Sequence, residues 1–346
     1  MAITINGSGT VTGLSVGGLP DGTVDSGTLA TDSVTAVKIP DTVESSLKSG
    51  RKNLIINGGF DVWQRGVYTT ATTIVNAAVT ADRWRFNSTV AGTIQDLQDG
   101  VVRLEATAAG TGTIRKYQNI EDRGLYRHIS SKTVTFSAWV KSNTPNARIE
   151  LYQSAWNGFD ASHSGGGDWE YLSVTQTLVD ISAIPDGHLM TQIGLDGFDS
   201  ANVAIAIGDY IEFKEVQLEL GSVATDFEHR SYGEELALCQ RYYQKSYPKD
   251  KYAADSSGFA TEAFRSENSS NFMHCITYHV PMRVIPTKTY YSPQGVAGRA
   301  YGYDSLSAEV TIAAWNYTEA KDIPLIQTGT NEGVWFGFNW VADAEL

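Results

Sequence analysis

The sequence has few positive charges and no long apolar run. Its 346 residues include 26 Lys and Arg against 39 Asp and Glu, which gives a formal net charge of −13. This acidity disfavours contact with a phosphate backbone or an anionic membrane surface, so no nucleic-acid partner is expected. No stretch approaches the roughly 18 apolar residues of a membrane span, and membrane insertion is not expected. The first residues lack the basic and apolar regions of a signal peptide, which indicates synthesis in a cytoplasm.

Cysteine is also scarce. Cys239 and Cys275 are the only two, which excludes a disulfide framework and a four-cysteine zinc site. Both are expected to be buried, as free cysteines usually are. The sequence contains no nucleophile elbow, P-loop, HExxH or CxxC motif, so it gives no positive support to the corresponding chemistries.

Aromatic residues are missing from residues 1–50, and the first one is Phe60. A segment with only small aliphatic side chains cannot close a core alone. Its composition allows a disordered leader. However, Val24 and Val34 recur in a weak repeat, which favours short strands that pair with other copies of the chain. We therefore interpret residues 1–50 as an attachment and trimerisation segment.

The remainder is predicted to be all-β, because apolar and polar residues alternate in most segments. Residues 51–230 are expected to form a β-sandwich, with strands over 101–106, 133–140, 147–153, 169–176 and 210–220. Residues 249–346 are expected to form a C-terminal β domain, with strands over 271–280, 287–291, 308–316 and 333–341.

One connecting α-helix is predicted over residues 231–248. Ser231 and Glu234 have capping-box spacing, and Pro248 is expected to end the helix after about four turns. Four large or apolar residues recur on one face of this helix, at Leu236, Cys239, Tyr243 and Tyr247. That face is expected either to pack between the domains or to meet its own copies on a three-fold axis.

Aromatic residues near Gly- and Asn-rich loops point to a binding surface. An exposed ring can stack on the apolar face of a sugar while polar neighbours bond its hydroxyls. Residues 156–158 are interpreted as a turn. The candidate glycan-binding residues are Tyr152, Trp156, Asn157, Asp160, His163, Asp168 and Trp169. The alternative is that Trp156 and Trp169 cap the sandwich core, where Trp63, Trp84 and Trp139 are expected to lie.

The same region also has carboxylates that could be a glycosidase acid and base. Asp160, Asp168 and Glu170 are close in sequence, and such an enzyme needs two carboxyls about 5–9 Å apart. Among 39 acidic residues some pair at this distance is expected by chance. We therefore expect no catalytic residue and a protein that is not an enzyme.

Three sequence stretches carry a resemblance to a known group of proteins. They are NLIINGGFDVWQRG at 53–66, ADRW at 81–84 and the run at 210–244 that contains FEHRSYGEELALCQRYYQ; PMRVIPT at 281–287 fits the same group. The combination resembles bacteriophage tail fibres and related virion appendages that contain a jelly roll similar to carbohydrate-binding modules. The resemblance implies an N-terminal attachment segment, a jelly roll and a distal β domain in a homotrimer.

The resemblance also implies a cofactor, because such modules often bind a structural calcium ion between the first and last strands. By position, its ligands would be Asp61 and Glu215, together with further oxygen atoms that complete six to eight ligands. The alternative is that these two carboxylates are solvated and bind no metal.

The sequence thus predicts a structural virion protein, made in the host cytoplasm, that attaches to a host-surface glycan as a tail fibre. Residues 1–50 would contact tail or capsid proteins of the particle. Two alternatives stay open, namely a head fibre or decoration protein and a polysaccharide depolymerase of the tailspike type.

Overall fold

The computed structural model of the chain separates residues 1–50 from residues 51–346. It describes residues 4–5, 11–12, 52–120, 129–153, 157–180, 189–196, 204–256, 258, 260–266, 272–273, 275–303, 306–318, 321–326 and 333–345. In the first unit, β1 (Thr4–Ile5) pairs antiparallel with β2 (Val11–Thr12). The repeat predicted in this segment lies outside the described residues.

The alternation of apolar and polar residues after residue 51 produces antiparallel sheets. The strands in chain order are β3 (Thr72–Thr73), β4 (Arg85–Ser88), β5 (Gly92–Asp96), β6 (Val102–Ala106), β7 (Gly110–Thr111), β8 (Thr113–Asn119), β9 (Thr133–Ser142), β10 (Ala147–Gln153), β11 (Asn157–Ser162), β12 (Trp169–Thr177), β13 (Leu189–Asp196), β14 (Ala204–Ile205) and β15 (Tyr210–Leu220). A six-stranded sheet has the order β12-β9-β15-β6-β5-β3, and a five-stranded sheet has the order β11-β10-β13-β8-β4. Strands β7 and β14 form a small separate pair.

The six-stranded and five-stranded sheets enclose one hydrophobic core and form the predicted β-sandwich. Phe136 and Val140 of β9 lie in the same buried cluster as Ile149 and Leu151 of β10. Alternate residues of each strand point into this core, as period two requires. The predicted strand bounds over residues 147–153 and 210–220 are confirmed.

The NGGF motif has a structural role at the base of the sandwich. Asn57 has φ 60°, and its side chain bonds both the N–H and the C=O of Val62. A Cβ atom on Gly58 would lie 2.1 Å from the carbonyl oxygen of Val216, so only glycine fits there. Phe60 packs against Trp84 with ring centroids 5.3 Å apart. The residues that carry the resemblance therefore determine the fold of this corner.

The predicted helix begins where its capping box indicates. Helix α1 (Tyr232–Gln240) has Ser231 as its N-cap, and Ser231 and Glu234 make the two reciprocal bonds of a capping box. Its length, however, was predicted wrongly, because residues 243–245 form strand β16 (Tyr243–Lys245). Backbone pairing with a later strand outcompetes a longer helix there, and consecutive tyrosines suit a strand, which sends neighbouring side chains to opposite faces.

The apolar face assigned to this helix is occupied within the chain itself. Cys239, Tyr243 and Tyr247 are at most 6% exposed. These three side chains are consequently not available to pack against other copies on a three-fold axis.

The C-terminal sheet is organised around its last strand. This last strand is β24 (Trp335–Asp343). Besides β16, the other strands of the sheet are β17 (Glu262–Arg265), β18 (Phe272–Met273), β19 (Ile276–Thr277), β20 (Thr287–Tyr291), β21 (Arg299–Gly302), β22 (Ala308–Tyr317) and β23 (Lys321–Ile326). β24 pairs with β16, β17, β20 and β21, while β22 pairs with β21 and β23. The single long strand predicted over 271–280 is wrong, because two short strands lie there.

Two cysteine environments differ from each other. Cys239 is buried as expected. Cys275 is exposed, and the prediction that it is buried is wrong. Within the described residues, no helix is long and apolar enough to cross a membrane.

A charged junction joins the sandwich to the C-terminal sheet. We use this name for Arg65, Asp82, Arg83, Asp343 and Glu345. Arg65 contacts Asp82 at 3.2 Å and Asp343 at 3.1 Å, and Arg83 contacts Glu345 at 2.5 Å. The two guanidiniums also stack on rings of the segment after α1, Arg65 on Tyr243 at 3.7 Å and Arg83 on Tyr242 at 3.6 Å.

Burial perturbs the acid–base behaviour of this junction. Burial raises the pKa of Asp82 to about 6, although Arg65 and Gln64 stabilise its carboxylate and oppose the shift. Burial also lowers the pKa of Lys116 well below its usual value, against the opposing effect of Asp82. The Lys116 Nζ donates a hydrogen bond to the Thr80 hydroxyl.

Candidate functional site

Trp169 lies on the outer face of the six-stranded sheet, as the first residue of β12. It pairs with Lys141 of β9, and Tyr171 pairs with Trp139 two residues along. The alternate side chains of β12 point into the core, and Leu172, which is one of them, is 8% exposed. Trp169 and Tyr171 therefore face away from the core.

Trp139 belongs to this outer surface as well, which corrects the prediction that it is a core residue. Its strand neighbours Ala138 and Val140 are fully buried, whereas Trp139 is only partly buried. The Trp139 and Tyr171 rings lie 5.3 Å apart between centroids. By contrast, Trp84 and Trp63 are core residues as predicted. We call Trp139, Trp169 and Tyr171 the aromatic surface.

Cationic and acidic side chains surround the aromatic surface. Lys214 pairs with Trp139, and its ammonium lies 5.1 Å from the centroid of the Trp169 ring. Lys141 contacts Glu212 at 3.5 Å on the same face. Rings with polar groups at their edges can hold one apolar face of a sugar while bonding its hydroxyls.

The loop before β12 is held by His163. This residue is 1% exposed, its Nδ1 accepts the Gly165 N–H at 2.8 Å, and its Nε2 lies 2.9 Å from the Asp168 carbonyl oxygen. Both ring nitrogens are therefore engaged inside the loop, and His163 positions the start of β12. The Asp168 residue itself is exposed.

Tyr152 and Asp160 lie on the other side of the sandwich. They belong to β10 and β11 of the five-stranded sheet, at positions whose neighbours Leu151 and Ile149 point into the core. Asp160 contacts Arg148 at 3.4 Å. The structure thus does not bring Tyr152 and Asp160 together with Trp169.

The two remaining candidates are Asn157 and Trp156. Asn157 is the first residue of β11 and pairs with Gln153, so residues 157–158 are strand and the predicted turn there is wrong. Trp156 lies outside the described residues, and its assignment stays a prediction.

The carboxylates considered for catalysis have separate partners. Asp160 pairs with Arg148 on the five-stranded sheet, whereas Glu170 accepts a hydrogen bond from the Ser164 hydroxyl in the loop before β12. This bond from Ser164 lowers the pKa of the Glu170 carboxyl. The arrangement provides no positive support for an acid and base pair.

The structure gives no positive support, among the described residues, for the calcium ion that the resemblance suggests. No group of three or more His, Cys, Asp or Glu side chains suited to a metal is found in that part of the chain. Burial raises the pKa of the Asp61 carboxyl, and the nearby His229 and Lys249 lower it. The positive charge of Lys249 near Asp61 disfavours the binding of a calcium ion there. Glu215 lies in the irregular stretch of β15, with φ 52°. Calcium at Asp61 and Glu215 therefore stays a prediction.

Comparison with known proteins gives weak similarities. The sequence matches no protein family and no curated protein. Among solved structures, a cyclase from Fischerella sp. TAU is 13% identical over 51% of this chain and all of its own, with a TM-score of 0.34. The CBM22-2 xylan-binding domain of Paenibacillus barcinonensis Xyn10C is 12% identical over 40% of this chain and 91% of its own, with a TM-score of 0.27.

A phage protein is similar at the same level. The tripod from the baseplate of bacteriophage Tuc2009 is 15% identical over 53% of this chain and 59% of its own, with a TM-score of 0.31. None of these similarities assigns a function or a binding residue to this chain.

Proposed function

We propose that this chain is a structural, non-enzymatic component of a bacteriophage tail fibre that binds host-surface glycan through the aromatic surface. The sequence stretches at 53–66, 81–84 and 210–244 support the virion assignment, because they resemble those of tail fibres and related appendages. Residues 1–50 would attach the protein to tail or capsid proteins of the particle.

The grouping of Trp139, Trp169 and Tyr171 on one outward face carries the glycan assignment. Large rings are usually buried, but Tyr171 is 41% exposed and lies beside Trp139. An exposed patch of rings with charged edges is typical of a recognition surface. Sugar rings match it because their C–H faces stack on aromatic rings and their hydroxyls bond charged neighbours.

Each such site would be weak, and assembly would strengthen it. A sugar hydroxyl exchanges water bonds for protein bonds at a net gain of about 0.5–1.5 kcal/mol each. A homotrimer with one site per chain, and several trimers per particle, could raise the overall avidity by roughly 10²–10⁴. We therefore include the homotrimer in the proposal, with residues 1–50 as the contact between copies.

Adsorption of particles that carry Trp169→Ala or Tyr171→Ala tests the proposal. Both variants should bind host cells at least about tenfold more weakly, with little change in melting temperature, because the removed rings lie at the surface. Trp335→Ala is the matched control, since Trp335 is 48% exposed on the C-terminal sheet. Normal adsorption by both variants would contradict the proposal.

A second measurement tests whether the protein is an enzyme. The purified chain is expected to leave host capsule and lipopolysaccharide at their original length. Shortening of either polysaccharide would overturn the non-enzymatic part of the proposal and favour a depolymerase.

A further inference from the structure

The two ends of the aromatic surface differ in charge. In the register of the sheet, one row of outward side chains runs from Trp169 through Lys141 and Glu212 to Arg103. Lys214 lies on the same face, two residues along β15 from Glu212. Three cations thus lie on this part of the face, although the whole chain has a formal net charge of −13. The Trp169 end is therefore a local exception to the acidity of the chain.

Two of these three cations are neutralised by carboxylates. Arg103 donates to Glu105 and to Glu212, at 2.8 Å in each case. Lys141 lies 3.5 Å from the same Glu212 carboxylate. The charges of these four side chains sum to zero, so this network has no surplus cation for a ligand.

Lys214 is the cation that stays unbalanced. Within the described ranges, no carboxylate oxygen lies within 4.0 Å of its ammonium, which is instead 5.1 Å from the centroid of the Trp169 ring. The side chains of Lys214 and Trp169 are both partly exposed. An ammonium has three N–H donors, and the face of a ring engages them only weakly. Lys214 can therefore donate to an anionic group on a ligand that stacks at this surface.

The Tyr171 end of the aromatic surface is acidic. Burial raises the pKa of its phenol, and three nearby carboxylates raise it further, those of Glu215, Glu219 and Asp226. Glu219 already accepts hydrogen bonds from the N–H and the hydroxyl of Thr225. Asp226 is exposed and Glu215 is partly exposed, so both can accept hydrogen bonds from the hydroxyls of a ligand.

This polarity selects one class of ligand. A neutral sugar would leave the Lys214 ammonium without an anionic partner, and a cationic sugar would be repelled by it. An acidic sugar suits both ends, because its anionic group can pair with Lys214 while its hydroxyls donate to the carboxylates near Tyr171. Charge complementarity of this kind contributes more to the choice of ligand than to the total affinity.

We propose that the aromatic surface is specific for an acidic sugar, whose anionic group lies against Lys214 beside Trp169 and whose hydroxyls point toward Glu215 and Asp226. The anionic group is a carboxylate or a phosphodiester, since each carries one negative charge. This inference rests on the proposed function, because it names the class of ligand for the same site.

Binding of the purified full chain to immobilised host capsule and lipopolysaccharide tests this inference. Each polysaccharide is used in three forms, namely native, with its carboxyl groups reduced to alcohols, and with its phosphodiesters cleaved by hydrofluoric acid. One of the two treatments should weaken the binding of wild-type protein at least about fivefold, and it identifies the anionic group. Raising the NaCl concentration from about 50 to about 500 mM should weaken binding to the native form.

Three variants assign the effect to one lysine. Lys214→Gln should bind the native form at least about fivefold more weakly and should no longer distinguish it from the treated forms. Lys214→Arg keeps the charge and should keep the distinction. Lys132→Gln is the matched control, because Lys132 is an exposed lysine of the same sandwich and its loss changes the net charge equally. Melting temperatures show that the variants are folded.

The outcomes separate this inference from the proposed function. Loss of the distinction in Lys214→Gln, with Lys132→Gln unchanged, supports an acidic ligand. Equal binding of wild-type protein to all three forms, with weaker binding by Trp169→Ala, overturns the acidic ligand and leaves the proposed function in place. Equal losses in Lys214→Gln and Lys132→Gln also overturn it, because the net charge alone would then explain them. Failure of the wild type to bind any form contradicts both proposals.

Discussion

At the scale of single residues, Asp82 has the most strongly perturbed carboxyl in the charged junction. Its pKa is about 6 in the folded chain, against a usual value of 3.8. Because this pKa is raised, the folded state binds the proton more tightly than the unfolded state between these pH values. The stabilisation from protonating Asp82 is therefore complete below about pH 4 and is lost as the pH rises through 6.

Asp82→Asn should remove this dependence on pH. The free energy of unfolding of the wild type, relative to that of Asp82→Asn, should rise by about 2.4 kcal/mol between pH 7 and pH 4. Urea unfolding of both proteins at several pH values measures the difference. A difference that stays constant, or that falls on acidification, would be inconsistent with a raised pKa at Asp82.

Trp139 shows how far single residues could be predicted. In residues 134–140 the buried side chains include Phe136, Ala138 and Val140, so alternation alone places Trp139 on the opposite face. The preference of tryptophan for burial led to the wrong assignment. Its partner Tyr171 was missed for a different reason, because only the pairing of β9 with β12 brings the two rings together.

At the scale of elements, the N-terminus of α1 depends on one side chain. Ser231→Ala removes the acceptor for the Glu234 N–H and should lower the free energy of unfolding by about 1 kcal/mol. Ser162→Ala, an exposed serine on β11, is the matched control and should change stability little. Equal effects in thermal melts of the two variants would argue against a capping contribution.

Element boundaries were predictable where local signals agreed with the sheet. The bounds of β10, β15 and β20 follow directly from alternation. The end of α1 could not be predicted from local signals. It depends on the pairing of Tyr243 with Asp343, which are far apart in sequence. The neighbourhood of Arg148, Gly194 and Arg115 was unpredictable for the same reason, since β13 lies between β10 and β8 in the sheet but not in the chain.

At the scale of the whole molecule, the charged junction couples the sandwich to the C-terminal sheet. Arg83 and Glu345 are each 3% exposed at their side chains. Breaking such a buried pair leaves an uncompensated charge, so Arg83→Met should lower the free energy of unfolding by about 3–5 kcal/mol. Arg299→Met is the control, because Arg299 is exposed and its guanidinium donates to the Thr311 hydroxyl at 2.8 Å.

Limited proteolysis of Arg83→Met adds a readout specific to coupling. The C-terminal sheet should be cleaved before the sandwich in this variant, because the contacts between the two are weakened. If Arg83→Met is as stable as the wild type, and its sandwich and C-terminal sheet are cleaved at the same time, the junction contributes little to coupling.

Removal of residues 1–50 tests the role of the first unit. The hydrophobic clusters of the second unit lie wholly after residue 51, so residues 51–346 should stay folded without it. By light scattering, the full chain should have three times the 37.6 kDa mass of one copy, and the truncated chain should be monomeric and absent from virions. A monomeric full chain, or normal incorporation of the truncated one, would refute this assignment.

The position of β24 also has a consequence for the order of events during synthesis. Its partners β16, β17, β20 and β21 all precede it in the chain, so none of them can complete its pairing until residues 335–343 have left the ribosome. About 100 residues separate β16 from β24, which takes roughly 5–20 s at about 5–20 residues per second. Throughout that interval the emerging strands have unpaired edges, which are prone to aggregate. The sandwich can be complete before then, so nascent chains should become protease-resistant in two steps, with the C-terminal sheet last.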